Sequence, residues 1–403
     1  MSFKRHYLLH PVVWLAALGY FVDIYDLLLF SIIRIPSLND IGVDNVTGTG
    51  LLILNTQMFG LLLGGILWGV LGDKWGRTRV LFYSIALYSI GNLLNGFVQT
   101  GTQYAIIRFI AGIGLAGELG AGITLVSELL PKNKRGLGTA LVAGFGLTGA
   151  VFAFFISQWF SWRTCYFIGG GMGLLLLTLR MSVFESGLYK QLAEKTHLAK
   201  GNFLMLFNKR ERFIRYLRSI LIGLPTWFVV GILISFSPEF AQHLGIKQPI
   251  DPGKGIMISY AAIAFGDIVI GLLSQQLKSR KKALHIFYLI TISGMAVFFT
   301  ASSPWQLYLS MGIMGFGTGF WAVFVTIGAE NFGTNLRATA ATTIPNMVRG
   351  SLNLISALFL FLTSQISYVN SGILTGVIVM LITYWAISGL QETFGRDLDF
   401  IEE

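Results

Sequence analysis

Charge is scarce in this chain: only 12% of its 403 residues are Asp, Glu, Lys or Arg, while 54% are hydrophobic. Cysteine is scarcer still, for Cys165 stands alone, which excludes an intrachain disulfide and any CxxC metal or redox motif. Five scattered histidines offer no metal-ligand spacing. The sequence also holds no P-loop, no G-x-S-x-G elbow and no HExxH, so an enzyme is not expected, and no step calls for a cofactor.

What is present is hydrocarbon. Apolar runs of about 20 residues recur, each long enough at ~1.5 Å per residue to cross a ~30 Å bilayer core. Twelve spans are expected: 9–35, 50–72, 79–100, 103–130, 136–160, 163–183, 216–238, 255–275, 283–301, 304–328, 338–366 and 370–390. The opening "MSFKRHYLLHPVVWLAALGY" runs on past Asp26 without a small-residue cleavage site, so it reads as the first span rather than a signal peptide. Basic residues gather in alternate loops, at Lys74 to Arg79, Lys132 to Arg135, Lys190 to Arg218 and Lys278 to Lys282. Those loops are expected to face the cytoplasm, with both termini inside. The net charge of +10 is then a topology signal and not a nucleic-acid surface.

The chain also repeats itself. One offset of 202 residues aligns Gly69 with Gly271, Gly117 with Gly319, Glu128 with Glu330 and Arg135 with Arg337. The halves meet in a charged stretch, so we expect an amino-terminal six-helix bundle at 1–184, a cytoplasmic linker at 185–215 and a second six-helix bundle at 216–403.

The string Gly69-x-x-x-Asp73-Lys74-x-Gly76-Arg77-x-Arg79 closely resembles the loop signature of the major facilitator superfamily, and the likeness covers essentially the whole chain. "GELGAG" at 117–122 looks closest to the metabolite:proton symporter and sugar-porter branches. The resemblance implies an all-α membrane fold: twelve transmembrane helices in two pseudo-symmetric six-helix bundles that work by alternating access. It also implies a cytoplasmic gate built from Gly69, Asp73, Gly76, Arg77, Arg79, Glu128 and Arg135. The plainer reading is a tight turn with inside-positive charge. In the second half Gln275 replaces Asp73, so a weaker latch is expected there.

Two carboxylates, Asp23 and Asp26, stand three positions apart within the first apolar run. Ionisable groups inside a bilayer cost about 2.5–3.5 kcal/mol on insertion scales, so partners should exist. Asp26 lies ~24 Å along a helix entering near residue 10, and Arg108 lies ~8 Å below the outer surface on the antiparallel fourth helix. Their depths agree. An Asp26–Arg108 ion pair is expected, with Asp23 beside it through i, i+3 spacing. Proton symporters of the resembled family are thought to use such an acid and arginine for coupling; a static salt bridge is the alternative. Three roles stay open for Glu118, near the midplane: binding a cationic group, joining the proton path, or bonding to a neighbouring helix.

In the second half, Thr342, Asn346, Arg349, Asn353 and Ser356 recur at helical spacing as one polar stripe. Arg349 suits a substrate carboxylate or phosphate, with Asp267 as its alternative partner. Trp227, Phe228, Phe320 and Trp321 are candidates to pack against substrate. Proton-coupled exporters of the resembled family carry a Gly-Pro signature in the fifth helix, whereas "GTALVAGFGLTGAVFAF" has no proline.

The expected function is therefore a secondary transporter coupling inward proton flow to uptake of a small polar metabolite, an organic acid or amino acid. The proton-coupling set is Asp23, Asp26, Arg108 and Glu118; the substrate set is Trp227, Asn346, Arg349, Asn353 and Trp321. An uncoupled facilitator, an antiporter or exporter, and a non-transporting sensor are the alternatives. A monomer in a bacterial inner membrane is expected, its partners being substrate, protons and lipid. Substrate identity and the choice between Asp23 and Asp26 remain open at this level.

Overall fold

The computed structural model describes residues 11–75, 77–118, 135–185, 203–395 and 401–402. The described residues are helical over most of their length, and side-chain caps open five of the helices. In the first half they are α1 (Pro11–Asp40), α2 (Val46–Trp75), α3 (Arg77–Asn95), α4 (Gly101–Leu115), α5 (Arg135–Trp159) and α6 (Trp162–Glu185). Thr100 caps α4 by accepting from the Gln103 N–H, which satisfies one of the free donors of its first turn. The continuation of the fourth span beyond Glu118 lies outside the described residues.

The second half is more interrupted. After a 3₁₀ turn at Phe203–Leu206 come α7 (Arg210–Leu221), α8 (Leu224–Phe228), a π-helical stretch Val229–Ile234 and α9 (Ser237–His243). They are followed by α10 (Pro252–Gln276), α11 (Arg280–Phe299), α12 (Pro304–Thr318), α13 (Trp321–Glu330), α14 (Thr334–Gly350), α15 (Leu352–Thr363) and α16 (Tyr368–Ser388). Asp251 and Ser303 cap α10 and α12 with proline at the first helical position, where a missing N–H costs nothing.

Ten stretches among the described residues are long and apolar enough to span a bilayer. The expected third and fourth spans correspond to α3 and α4; α4 is described for only 15 residues. Three expected spans are single stretches whose helical winding is interrupted locally: 216–238 at Ile222 and again through the π-helical stretch, 304–328 at Gly319 and Phe320, and 338–366 at Ser351. At the middle interruption, a Cβ on Gly319 would approach the Ile263 carbonyl to 2.7 Å, so glycine lets the chain turn tightly against α10. The helix expected to open the second bundle at 216 starts at Arg210, because the basic face of α7 is tied to Glu402: Arg212 Nε at 3.2 Å and Arg215 Nη2 at 2.8 Å.

Packing follows the repeat. In the first half α1 rests on α5 and α6, α2 on α4, and α3 on α4 and α6; in the second, α12 rests on α10 and α11. Where α2 crosses α4, a Cβ on Gly112 would strike the Gln57 carbonyl, so the backbones touch as small residues allow in membrane helices. The halves meet along two seams, α5 with α10 and α2 with α14. The buried charges lie between and beside these seams.

Candidate functional site

Arg108 of α4 is wholly buried and its guanidinium is nearly saturated. Nη1 donates to Asp26 Oδ1 at 3.0 Å and to Asn92 Oδ1 at 3.1 Å, Nη2 to the Asp26 carbonyl at 3.0 Å, and Nε to Gln57 Oε1 at 3.2 Å. Gln57 is itself held by donating to the Leu27 carbonyl at 3.1 Å. A charged fork with four acceptors is stiff. The expected partners Asp26 and Arg108 are thus together, embedded in a polar network within the first bundle.

Asp23 goes elsewhere. Its Oδ2 lies 3.6 Å from Nη2 of Arg349 on α14, so this ion pair crosses from the first bundle to the second. At that separation it is not a hydrogen bond, and neither oxygen of Asp23 has a hydrogen-bond partner. Arg349 likewise keeps Nε and Nη1 unpartnered. The alternative Arg349–Asp267 pair is not formed: Asp267 accepts from the Ala322 N–H at 2.9 Å, at the start of α13. Burial is complete for both members of the Asp23–Arg349 pair, at 0% and 1% side-chain exposure, so water does not screen it.

Of the three roles open to Glu118, its geometry matches the third, a bond to a neighbouring helix. Both carboxylate oxygens are taken by Arg180 of α6, with Nη1 to Oε2 at 3.1 Å, and Arg180 Nη2 also donates to the Leu15 carbonyl at 3.3 Å. Asn346 spans the seam, its Nδ2 donating to the Ala116 carbonyl at 3.0 Å. Ser356 reaches Asn55 Oδ1 at 2.8 Å. Asn353, on α15, donates back to the Gly350 carbonyl at the end of α14, at 3.0 Å. Trp227 and Trp321 are buried with unpartnered indole N–H groups. Phe228 and Phe320 are second-bundle core instead: Phe320 stacks edge-on with Tyr288, and Phe228 lies against Gly376 of α16.

For the expected gate, Gly69 lies against Thr343 of α14 and Arg79 is exposed. Gly76, Glu128 and the side chains of Asp73, Arg77 and Arg135 lie outside the described residues. The second-half counterpart is not the weak latch anticipated from Gln275. Arg280 grips Glu330 through two bonds, 2.7 and 2.8 Å, a bidentate geometry that does not need Asp at the 275 position.

Sequence reasoning misses Arg34, Glu239 and Arg180. Arg34 and Arg180 each interrupt an apolar run, and the rule applied to Asp23 and Asp26 would have flagged them. A groove of 540 Å³ between α2 and α4 has outward-facing Leu52 and Ile106 on its rim and lies on the membrane-facing flank.

Two helical bundles joined along seams, with arginine–carboxylate pairs buried at and beside the join, define a polytopic membrane protein. The chain belongs to the Major Facilitator Superfamily, whose model matches residues 16–352. It is 31% identical over 259 residues to the sialic acid transporter NanX of Escherichia coli strain K12, covering 62% of each chain. With the putative niacin/nicotinamide transporter NiaP of Bacillus subtilis strain 168 it shares 26% identity, over 64% of this chain and 65% of that one. The matched stretch is thus a little under two thirds of these relatives' length. The xylose transporter XylE from E. coli, in a partially occluded inward-open conformation, superposes with a TM-score of 0.72 over 98% of this chain and all of that one, at 17% identity. The protein is an integral multi-pass membrane protein, and its family is not one of enzymes.

Proposed function

We propose that this carrier couples proton entry to the uptake of a small organic anion, with Arg349 as the anion's anchor and Asp23 as the acid that competes for it. The observation that carries the reading is the stretched Asp23–Arg349 pair across the seam. Arg349 has two donor nitrogens to spare, and Asp23 holds it at 3.6 Å only. A substrate carboxylate that docks bidentately on Arg349 displaces Asp23, and a freed carboxylate in a buried site favours taking a proton. Proton and anion then load together as one nearly neutral unit, which suits passage through a low-dielectric interior. Asp26 and Arg108 hold the neighbouring backbone in place during the exchange. Trp227 and Trp321 supply aromatic walls with an N–H each. Several relatives bear names of acids, among them sialic acid, niacin and benzoate, which supports an acidic substrate. The basic loops lie on the cytoplasmic side in this reading, as retention of basic loops dictates.

The test is uptake into proteoliposomes. Organic anions are first screened by thermal shift on the purified protein, and the hit is then followed with an internal pH dye. Substrate addition should acidify the lumen in wild type. In Asp23→Asn, counterflow should persist while accumulation driven by a pH gradient disappears. Proton-independent uptake in wild type would overturn the coupling.

A further inference from the structure

The central portion of the spans holds four buried acids and three buried arginines among the described residues: Asp26 with Arg108, Asp23 with Arg349, Glu118 with Arg180, and Asp267. Asp267 makes no ion pair among the described residues. Its Oδ1 accepts from the Ala322 amide at 2.9 Å, while Oδ2 is buried with no hydrogen-bond partner. Asp267 is buried, and burying an unpaired anion is costly, whereas a neutral carboxylic acid avoids that cost.

We infer that Asp267 is a second proton-carrying acid of the transport cycle, placed in the second bundle at the break between α12 and α13. The inference rests on the proton-coupled reading above and extends it to a group outside the first bundle. The position is suited to moving a proton with conformation. Asp267 bridges α10 to the start of α13, and α10 is also the helix that packs against α5 and α1 across the seam. Rocking of the bundles therefore changes what faces Oδ2.

The ionisable neighbours are few. On α1, Asp23 faces Arg349, Asp26 faces Arg108 and Arg34 faces Glu239, while Tyr20 is a buried phenol. Tyr260 belongs to α10 itself. The one ionisable residue of α5 is Arg135 at its first position, whose side chain lies outside the described residues. On α12, Tyr308 is engaged with Asp251, and on α13, Glu330 is held by Arg280. From α11, Tyr288 donates to the Ile222 carbonyl and His285 stacks on Tyr384; on α9, Glu239 is held by Arg34 and His243 stacks on Tyr368. Among the described residues no Lys, Arg or His forms an ion pair with Asp267; Arg349 faces Asp23 instead.

Infrared difference spectroscopy on the purified full chain tests this without a known substrate. Asp267→Asn keeps an oxygen to accept from Ala322, so the cap survives while the acid is lost. At neutral pH the wild-type minus D267N spectrum should contain one protonated-carboxyl C=O band that shifts in heavy water. If only ionised-carboxylate bands appear, or if they respond to added sodium, the proposal is overturned. Should D267N not fold, Asp267→Ser serves for the same subtraction. The separate dye assay judges the parent reading: wild type without substrate-linked proton entry sinks coupling, while the C=O band still decides the state of Asp267.

Discussion

The Arg34 guanidinium of α1 meets the Glu239 carboxylate of α9 at 2.7 Å, joining the bundles at the end of the molecule that holds the loop 41–45. The joint is reinforced. Arg34 Nη2 also donates to the Ser235 carbonyl at 3.2 Å, its guanidinium lies 4.3 Å from the centre of the Phe236 ring, and Thr47 donates to Glu239 at 3.1 Å. The π-helical stretch just before it re-aims the chain, with Ser235 donating back to the Val230 carbonyl. A helix wound off its usual register marks a place that can flex.

Breaking this joint should favour opening at that end. In a Cys165→Ser background, a cysteine placed at Ser235 should be labelled by a polar maleimide about ten-fold faster when Glu239→Gln is added, a shift of about 1.4 kcal/mol in the closed-to-open equilibrium. Unchanged labelling would show that apolar packing alone keeps the end shut.

Removing Arg108 should be costly to the fold. Arg108→Ala strands Asp26, and losing one partner of a buried pair costs about 3–5 kcal/mol. The melting temperature in detergent should fall sharply. Arg108→Lys should recover only part of it, because an ammonium lacks the fork that serves Gln57, Asn92 and Asp26 together.

Two glycines offer a matched pair. A Cβ on Gly112 would strike the Gln57 carbonyl, so Gly112→Ala should destabilise by about 1–3 kcal/mol through the α2–α4 crossing. Nothing lies within 4 Å of a Cβ on Gly171, and Gly171→Ala should leave thermal stability unchanged or slightly raised.

Outside the membrane, Glu392 supplies a pH dependence. Burial pushes its carboxyl up, but the Ser279 hydroxyl and the amide N–H groups of Phe394, Arg280 and Lys281 outweigh that and hold it below the ordinary carboxylate range. A depressed folded value means that its contribution to stability is present above the unfolded value and is lost as pH falls through the folded one. Wild type should therefore exceed Glu392→Gln in stability near neutral pH, and the difference should shrink as pH drops below about 4.5. A constant difference down that limb would mean the bonds do not depend on ionisation.

The number and rough placement of the spans, the twofold repeat and the Asp26–Arg108 meeting are all legible in the linear order of residues. Hydropathy and helical rise are local quantities, so depth in the bilayer can be counted along the chain. Counting offered Arg349 a substrate anion or Asp267, and it did not reveal that Asp23 would claim it. Depth is one coordinate only. Which face of α14 turns toward α1, and where Gly319 and Ser351 interrupt the winding of their spans, depend on close packing against α10 and α2.

By itself, then, the sequence determined that this is a helical membrane protein of two halves with acids and arginines sunk in its interior, because burying backbone and charge in hydrocarbon leaves few other solutions. Only the tertiary structure decided the pairing: Arg349 to Asp23 across the seam, Arg180 to Glu118 within the first bundle, Arg34 to Glu239 at one end, and no ion pair for Asp267 among the described residues. The physical reason is that ion pairing depends on rotation and separation between helices far apart in sequence, and these are set by the whole packed assembly.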